Sequence, residues 1–481
     1  MGEGQSLVTE AGEEARGTGL IPTDKAIRVG VQLNVGARGL EKAQLASGVR
    51  SRRRRRGGRI PDFSSAVGGS VALAIQGEEH WGALEPASAS AARGRDSRAL
   101  DGSPLRELIF ECAQAVARHD LDRSLGILRY LASKVPEAGD AGERVGAYFT
   151  RALACRVAKR LEAAGGNGPE GDHSELLASL RIPDAPSQEE IHAAYLALNR
   201  VTPFLRFAHL TANQAIVEEM EGEDIVHLVD FEIMQGVQWP PLMQALAERP
   251  GGPPHLRLTG IGSSPDILRQ TGNRLADFAR TLNLPFEFLP LVAGGIEQVS
   301  VDMFSKREGE VVAVNCVLQL NRFLEKGPDS LKAFLEMIQT LRPKVVTLAE
   351  REANHNQPQF LDRFGEAYRH YAIIFDSLEA TLPPRSPDRV TVEEVWFGRE
   401  IANIVSCDGA DWVERHETFE QWREIMESAG FHSLPPSTFA LAQAKLLLRY
   451  YPSEGYRLFE NDDCLLLGWQ DHPLFTVSSW H

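Results

Sequence analysis

The sequence predicts an α/β fold: a mostly parallel sheet core, an N-terminal α-helical cap ahead of it, and a disordered basic tail ahead of the cap. Three observations carry this. Residues 225–349 alternate short apolar runs with amphipathic stretches, the pattern of strand–helix–strand crossovers. Residues 103–220 show helical periodicity alone and are rich in leucine. Residues 1–102 are dominated by Gly, Ser, Ala and Arg, with no persistent period.

Composition narrows the class. The 481 residues are 43% hydrophobic and 24% charged, ordinary for a soluble globular protein. No apolar run approaches the roughly 18 residues that span a bilayer, and the N-terminus lacks a basic-then-apolar export signal. Five scattered cysteines (Cys112, Cys155, Cys316, Cys407, Cys464) form no C-x-x-C pair, which argues for reduced thiols and against a zinc site. The net charge of −15 is uneven: residues 1–100 hold 15 Lys+Arg against 11 Asp+Glu, leaving 36 against 55 for the rest. A domain so acidic is a poor general phosphate binder.

Taken in order, the tail holds one basic block, Arg52, Arg53, Arg54, Arg55 and Arg56, a candidate nuclear import signal or nucleic-acid patch. Order begins at Ser103-Pro104, a cap and a first-turn proline, before Leu105, Leu108, Ile109, Cys112 and Val116 at helical spacing. Leu105-Arg-Glu-Leu108-Ile109 approaches a docking motif but reads better as core. Helices follow through Leu121–Leu131 and 143–163, and Ser187-Gln-Glu-Glu190 predicts a capping box. Strands are expected at 225–231, 255–260, 286–291, 310–318 and 344–349, with helices at 240–248, 266–282 and 328–341 between most of them. Helices near 357–380, 389–406, 416–429 and 441–451 come next. Strands 456–459, 464–469 and 474–480 close the chain, with turns at Asn461-Asp-Asp and Asp471-His-Pro.

The chemistry centres on Ile225-Val-His-Leu-Val-Asp230, a strand buried on both faces, followed by a loop and Trp239-Pro240-Pro241 opening a helix. An acid at the carboxyl end of a parallel strand stands where open α/β sheets bind ligands. This invites comparison with Rossmann-like methyltransferases, which need a Gly-rich loop after the first strand and an acid at the end of the second. Here the loop has one glycine, Gly236, and Ile233 and Met234 would crowd a cofactor. The second strand ends Thr259-Gly260-Ile261-Gly262, with no carboxylate before Asp266. Asp230 and Gly236 are therefore expected to be vestigial cofactor contacts on a scaffold without cofactor. His227 reads as a hydrogen-bonded core histidine. Glu350-Arg-Glu-Ala-Asn354-His355 reads as a loop held by its own polar pairs. Arg399-Glu400 and Arg415-His-Glu417, near Trp422, read as interior ion pairs or interface anchors, and Trp469 and Trp480 as core. No catalytic or metal residue is expected.

These segments resemble the GRAS family of plant transcriptional regulators. Val226-His227-Leu-Val-Asp230, running on through Gln235 to Trp239-Pro240, looks like that family's central motif. It is preceded by Phe207-Ala-His-Leu-Thr-Ala-Asn213 and followed by Leu256-Arg257-Leu-Thr-Gly260-Ile-Gly262. Residues 103–200 and 265–291 look like its two leucine-rich regions. Pro343, the Phe360–Tyr371 stretch and Arg399-Glu400 look like its Pro, Phe-Tyr and Arg-Glu blocks. Arg415, Glu417, Trp422, Trp469 and Ser478-Ser-Trp480 look like its terminal block, with Ser479 where the family often has Ala. Gln238–Arg249, Ala349–Asn356 and Phe375–Pro384 look closest to the lateral-suppressor (scarecrow-like) branch, and the amino-terminal acidic motif of the DELLA branch is absent. The resemblance implies a helical cap on a Rossmann-like, methyltransferase-like core and a nuclear location. It implies control of transcription by pairing with DNA-binding transcription factors and other GRAS proteins, with direct DNA contact in some members. For this branch it implies axillary meristem initiation. The alternative is an S-adenosylmethionine-dependent enzyme with an altered loop.

Overall fold

In a computed structural model the described residues are 103–481, apart from 137–138, 164–171, 184 and 452; the tail and its run Arg52–Arg56 lie outside them. Six helices precede the sheet: α1 (Pro104–Ala117), α2 (Leu121–Ala132), α3 (Ala141–Ala163), α4 (Asp172–Ser179), α5 (Gln188–Val201) and α6 (Phe204–Glu219). Their starts follow local chemistry. Ser103 caps α1 by accepting from the Arg106 N–H, and Ser187 with Glu190 forms the expected capping box on α5. Leu105 and Leu108 pack against the core and Ile109 is wholly buried, so that leucine-rich segment is spent on packing.

The sheet runs β3-β2-β1-β4-β5-β9-β8-β7, with a short β6 (Ser433–Leu434) also on β9. Strands β1 (Ile225–Asp230), β2 (His255–Gly262), β3 (Phe286–Val292), β4 (Val311–Val317) and β5 (Pro343–Arg351) are parallel. Helices α7 (Trp239–Ala247), α8 (Pro265–Thr281) and α9 (Pro328–Thr340) connect them. Strands β7 (Tyr456–Asn461), β8 (Cys464–Trp469) and β9 (His472–Trp480) add an antiparallel edge. Both faces are covered: Val229 belongs to one hydrophobic cluster, with α9 and α13 (Phe419–Ser428), while Val226 and Leu228 belong to another, with α7 and α8. This two-sided burial is why β1 reads as an unbroken apolar run. The third and largest cluster joins α1–α6 to α10 (Phe360–Thr381), α12 (Gly398–Ser406), α14 (Thr438–Leu448) and the antiparallel strands.

Two expected elements differ. The helix predicted over 389–406 is broken into α11 (Pro387–Thr391), a wide π-helical turn at Val392–Phe397, and α12. In a regular α-helix Glu393 and Trp396, three residues apart, would share a face. The wider turn separates them, so Glu393 reaches Arg144 and Trp396 reaches a cavity. The last hairpin turns at Gln470-Asp471 rather than Asp471-His-Pro, with Gln470 taking the left-handed conformation (φ 52°) and Pro473 paired within β9.

Among the described residues no disulfide forms and no helix is long and apolar enough to cross a membrane.

Candidate functional site

Register brings one polar row to the carboxyl ends of the parallel strands: Gly260, Asp230, Asn315 and Thr347 are neighbours across β2, β1, β4 and β5. Asp230 accepts from the Trp239 indole Nε1 at 2.8 Å and from Asn315 Nδ2 at 3.4 Å. Gln238 Nε2 donates to Asn315 Oδ1 at 3.0 Å and to Asn213 Oδ1 at 3.2 Å, while Asn213 Nδ2 donates back to the Gln238 carbonyl at 2.8 Å. Thr347 Oγ1 donates to Asn315 Oδ1 at 2.9 Å. The network ties α6, the loop after β1, and strands β4 and β5 into one satisfied polar knot, the arrangement in which buried polar groups rigidify a fold.

The loop after β1 packs closely on the end of β2 and on α8. Gly236 has φ +65°, which a side chain would strain, and Arg274 Nη2 donates to the Gln235 carbonyl beside it. At Gly260, a Cβ would lie 2.7 Å from Ile233 Cδ1, so the close backbone approach is already filled by Ile233. Pro240, buried in the first turn of α7, helps seat Trp239, which has no exposed surface.

Outside this knot, between strand ends and cap, lies a cavity of about 660 Å³. Asp230, Glu232, Gly262 and Gln319 form part of its floor; Tyr195, His209, Trp396 and Arg399 form part of its walls. Burial raises Asp230 to about 6 and Glu232 to about 7, the latter opposed by Arg322 and reinforced by Asp230. Glu350, raised to about 7 by burial, accepts from the Gln319 and Leu320 N–H groups at 3.1 and 2.9 Å. Burial lowers His209 to about 3, and its Nε2 lies 3.1 Å from the Tyr195 hydroxyl.

Because Asp230 titrates higher folded than unfolded, its contribution is complete below its unfolded value and is lost as pH rises through about 6. Asp230→Asn removes that loss. Its stability relative to wild type is expected to rise by on the order of 2–3 kcal/mol between pH 4 and pH 8. Urea titrations of both proteins at the two pH values check this, and a pH-independent difference would show that Asp230 is not held in that environment.

The remaining residues fall elsewhere. His227 sits low in β1, its Nε2 2.8 Å from Thr259 Oγ1 and its Nδ1 3.3 Å from Glu310, and burial lowers it to about 4. Arg257, beside it on β2, is paired with Glu310 and Glu287. Pro343 opens β5. Arg399 and Glu400 do not pair: Glu400 turns inward to Arg351 and accepts from the Tyr371 hydroxyl at 2.9 Å, while Arg399 faces the cavity. Nor do Arg415 and Glu417 pair. Arg415 lies over the Trp412 ring at 3.8 Å and donates to the Trp412 carbonyl, and Glu417 accepts from Asn356 Nδ2 at 2.5 Å. His355 Nδ1 meets His416 Nδ1 at 2.9 Å. Trp422, Trp469 and Trp480 are buried, and Trp469 Nε1 donates to Asp376 at 2.7 Å. Glu232, Arg322 and Tyr195 line the cavity without having stood out in the sequence: Arg322 and Tyr195 lie far along the chain from Asp230, and Glu232, two residues after it, reads there only as part of the loop. No group of three or more metal-ligating side chains occurs among the described residues.

Comparison with known proteins fits this architecture. The profile of the GRAS domain family matches residues 105–481. The chain is 43% identical to Scarecrow-like protein 18 of Arabidopsis thaliana over 405 residues, covering 78% of this chain and 91% of that protein. It is 40% identical to Protein MONOCULM 1 of Oryza sativa subsp. japonica (78% and 88% covered) and 39% identical to DELLA protein GAI of Solanum lycopersicum (79% and 64%). The crystal structure of SCL7 in Oryza sativa superposes with a TM-score of 0.67 at 35% identity, over 79% of this chain and all of that one. A mostly parallel sheet under a helical cap, matched along the whole described region, makes the chain a member of the GRAS domain family of plant regulators.

Proposed function

We propose that the protein is a nuclear transcriptional regulator that acts by binding DNA-binding factors and other members of its family, and that it is not an enzyme. One observation carries the second half: Ile233 fills the close approach over Gly260, and Trp239 takes the Asp230 carboxylate. The scaffold keeps the strand-end geometry while its own side chains occupy the cofactor contacts. Calorimetry of the full chain with S-adenosylmethionine is expected to show no binding. Micromolar affinity lost in Asp230→Asn, a variant shown folded by its cooperative melt, would favour the enzyme instead.

The first half rests on family membership and on charge. Residues 101–481 carry 36 Lys+Arg against 55 Asp+Glu, so contact with a DNA-bound factor suits the domain better than contact with phosphates. The resemblance to the lateral-suppressor branch supports a role in axillary meristem initiation. Import is assigned to Arg52–Arg56: replacing all five with Ala is expected to spread the protein into the cytoplasm, and a variant that stays wholly nuclear refutes the assignment.

A further inference from the structure

We propose that the cavity between cap and strand ends binds a small organic acid with an apolar body. The acid group sits on Arg399 and Arg322, and the body lies against Trp396, Ile233 and Leu268. The volume of about 660 Å³ falls in the range of ligand sites. The place, outside the carboxyl ends of parallel strands, is where open α/β sheets bind their ligands.

The charges select the ligand class. The buried arginines of this molecule are held by carboxylates: Arg144 by Glu393, Arg257 by Glu310, Arg351 by Glu400, Arg363 by Asp408. Arg322 and Arg399 are exposed residues that line the cavity and make no ion pair among the described residues, although Glu400 directly follows Arg399 in sequence. A guanidinium fork left open toward a cavity matches a carboxylate or sulfonate two-pronged. Four acids line the cavity with them, Asp230, Glu232, Glu400 and Glu414, and none makes an ion pair with either arginine, although Arg322 acts electrostatically on Glu232 and Arg399 on Glu400. Asp230 is taken by Trp239, and Glu400 by Arg351 and Tyr371. Glu232, raised to about 7 by burial, is left to accept a hydroxyl of the ligand.

The wall is shaped as well as charged. The π-helical turn at Val392–Phe397 swings Trp396 away from the face that Glu393 uses, and Trp396 then lines the cavity with its Nε1–H unpartnered among the described residues. Such turns recur at functional sites. Ile233, which keeps a cofactor from the Gly260 backbone, serves as floor for the ligand body. The ligand is a net anion, which separates it from the sulfonium cofactor that the proposed function expects not to bind.

The test uses 8-anilinonaphthalene-1-sulfonate, an acid group on an aromatic body, titrated by fluorescence into the full folded chain. One saturable equivalent is expected. Arg399→Ala and Arg322→Ala each weaken it about tenfold or more, the loss of one charge-assisted contact. Ala402→Trp, filling the cavity from α12, abolishes it, and Ser263→Trp does the same from the β2 side should the first variant fail to fold. Arg385→Ala, away from the cavity, leaves it unchanged. Binding that survives both Arg399→Ala and a folded filling variant, or no saturable binding at all, overturns the proposal. Neither result bears on calorimetry with S-adenosylmethionine or on pairing with factors, so the two readings fail separately.

Discussion

Glu400→Ala is expected to destabilise the protein by about 3–5 kcal/mol, the cost of leaving one member of a buried ion pair without its partner. Arg351 is 3% exposed at the end of β5, and its guanidinium is held by Glu400 from α12, with His416 Nε2 3.4 Å away. Arg351 Nε already lacks a partner among the described residues. Glu414 and Glu350 act on Arg351 only electrostatically and make no ion pair with it, while burial holds the neighbouring His416 and His355 neutral, far below their ordinary range. The pair also clamps the helical layer to the sheet, so its loss is felt at a junction rather than at a surface. Glu400→Gln keeps the acceptor for Tyr371 and the volume, and should cost less. Chemical denaturation of the three proteins checks the order wild type, Gln, Ala; a loss below about 1 kcal/mol for Ala would mean that the pair is solvated like a surface bridge.

That pair also shows where sequence stops speaking. Arg399 and Glu400 stand side by side and invite pairing, yet consecutive helical residues do not face each other. Glu400 finds an arginine 49 residues back in sequence, and Arg399 is left facing the cavity. Local signals fared better: the cap at Ser103, the box at Ser187 and Glu190, and the Val-Ile-Leu run of β1 each have causes within a few residues. The mostly parallel arrangement, though not the strand order, was legible because alternating strands and helices imply crossover connections. The π-helical turn was not, because the partner its Glu393 meets, Arg144, lies some 250 residues away. Crowding by Ile233 was visible from the missing glycines. The cavity was not, since its walls come from the ends of β1, β2, β4 and β5, from α5 and from α12.

Trp239→Ala is expected to cost about 3–5 kcal/mol, as large aromatic truncations in a core do. Trp239 has no exposed surface, packs with Leu242, Leu258 and Leu275 in the cluster under α7 and α8, and gives its indole N–H to Asp230. Trp239→Phe separates the two contributions. It keeps most of the packing and removes the donor, leaving a buried carboxyl with one hydrogen bond fewer, at about 1–3 kcal/mol. Without that donor, which opposes the effect of burial, Asp230 should titrate still higher, and the stability lost as pH rises should be larger and extend to higher pH. Combining Trp239→Phe with Asp230→Asn gives a double-mutant cycle. A coupling of about 0.5–3 kcal/mol at pH 8, shrinking toward pH 4, would identify the Asp230 charge as a structural acceptor for Trp239. Strict additivity at both pH values would detach the carboxylate from the indole. The polar knot would then have to be explained by Asn213, Gln238 and Asn315 alone.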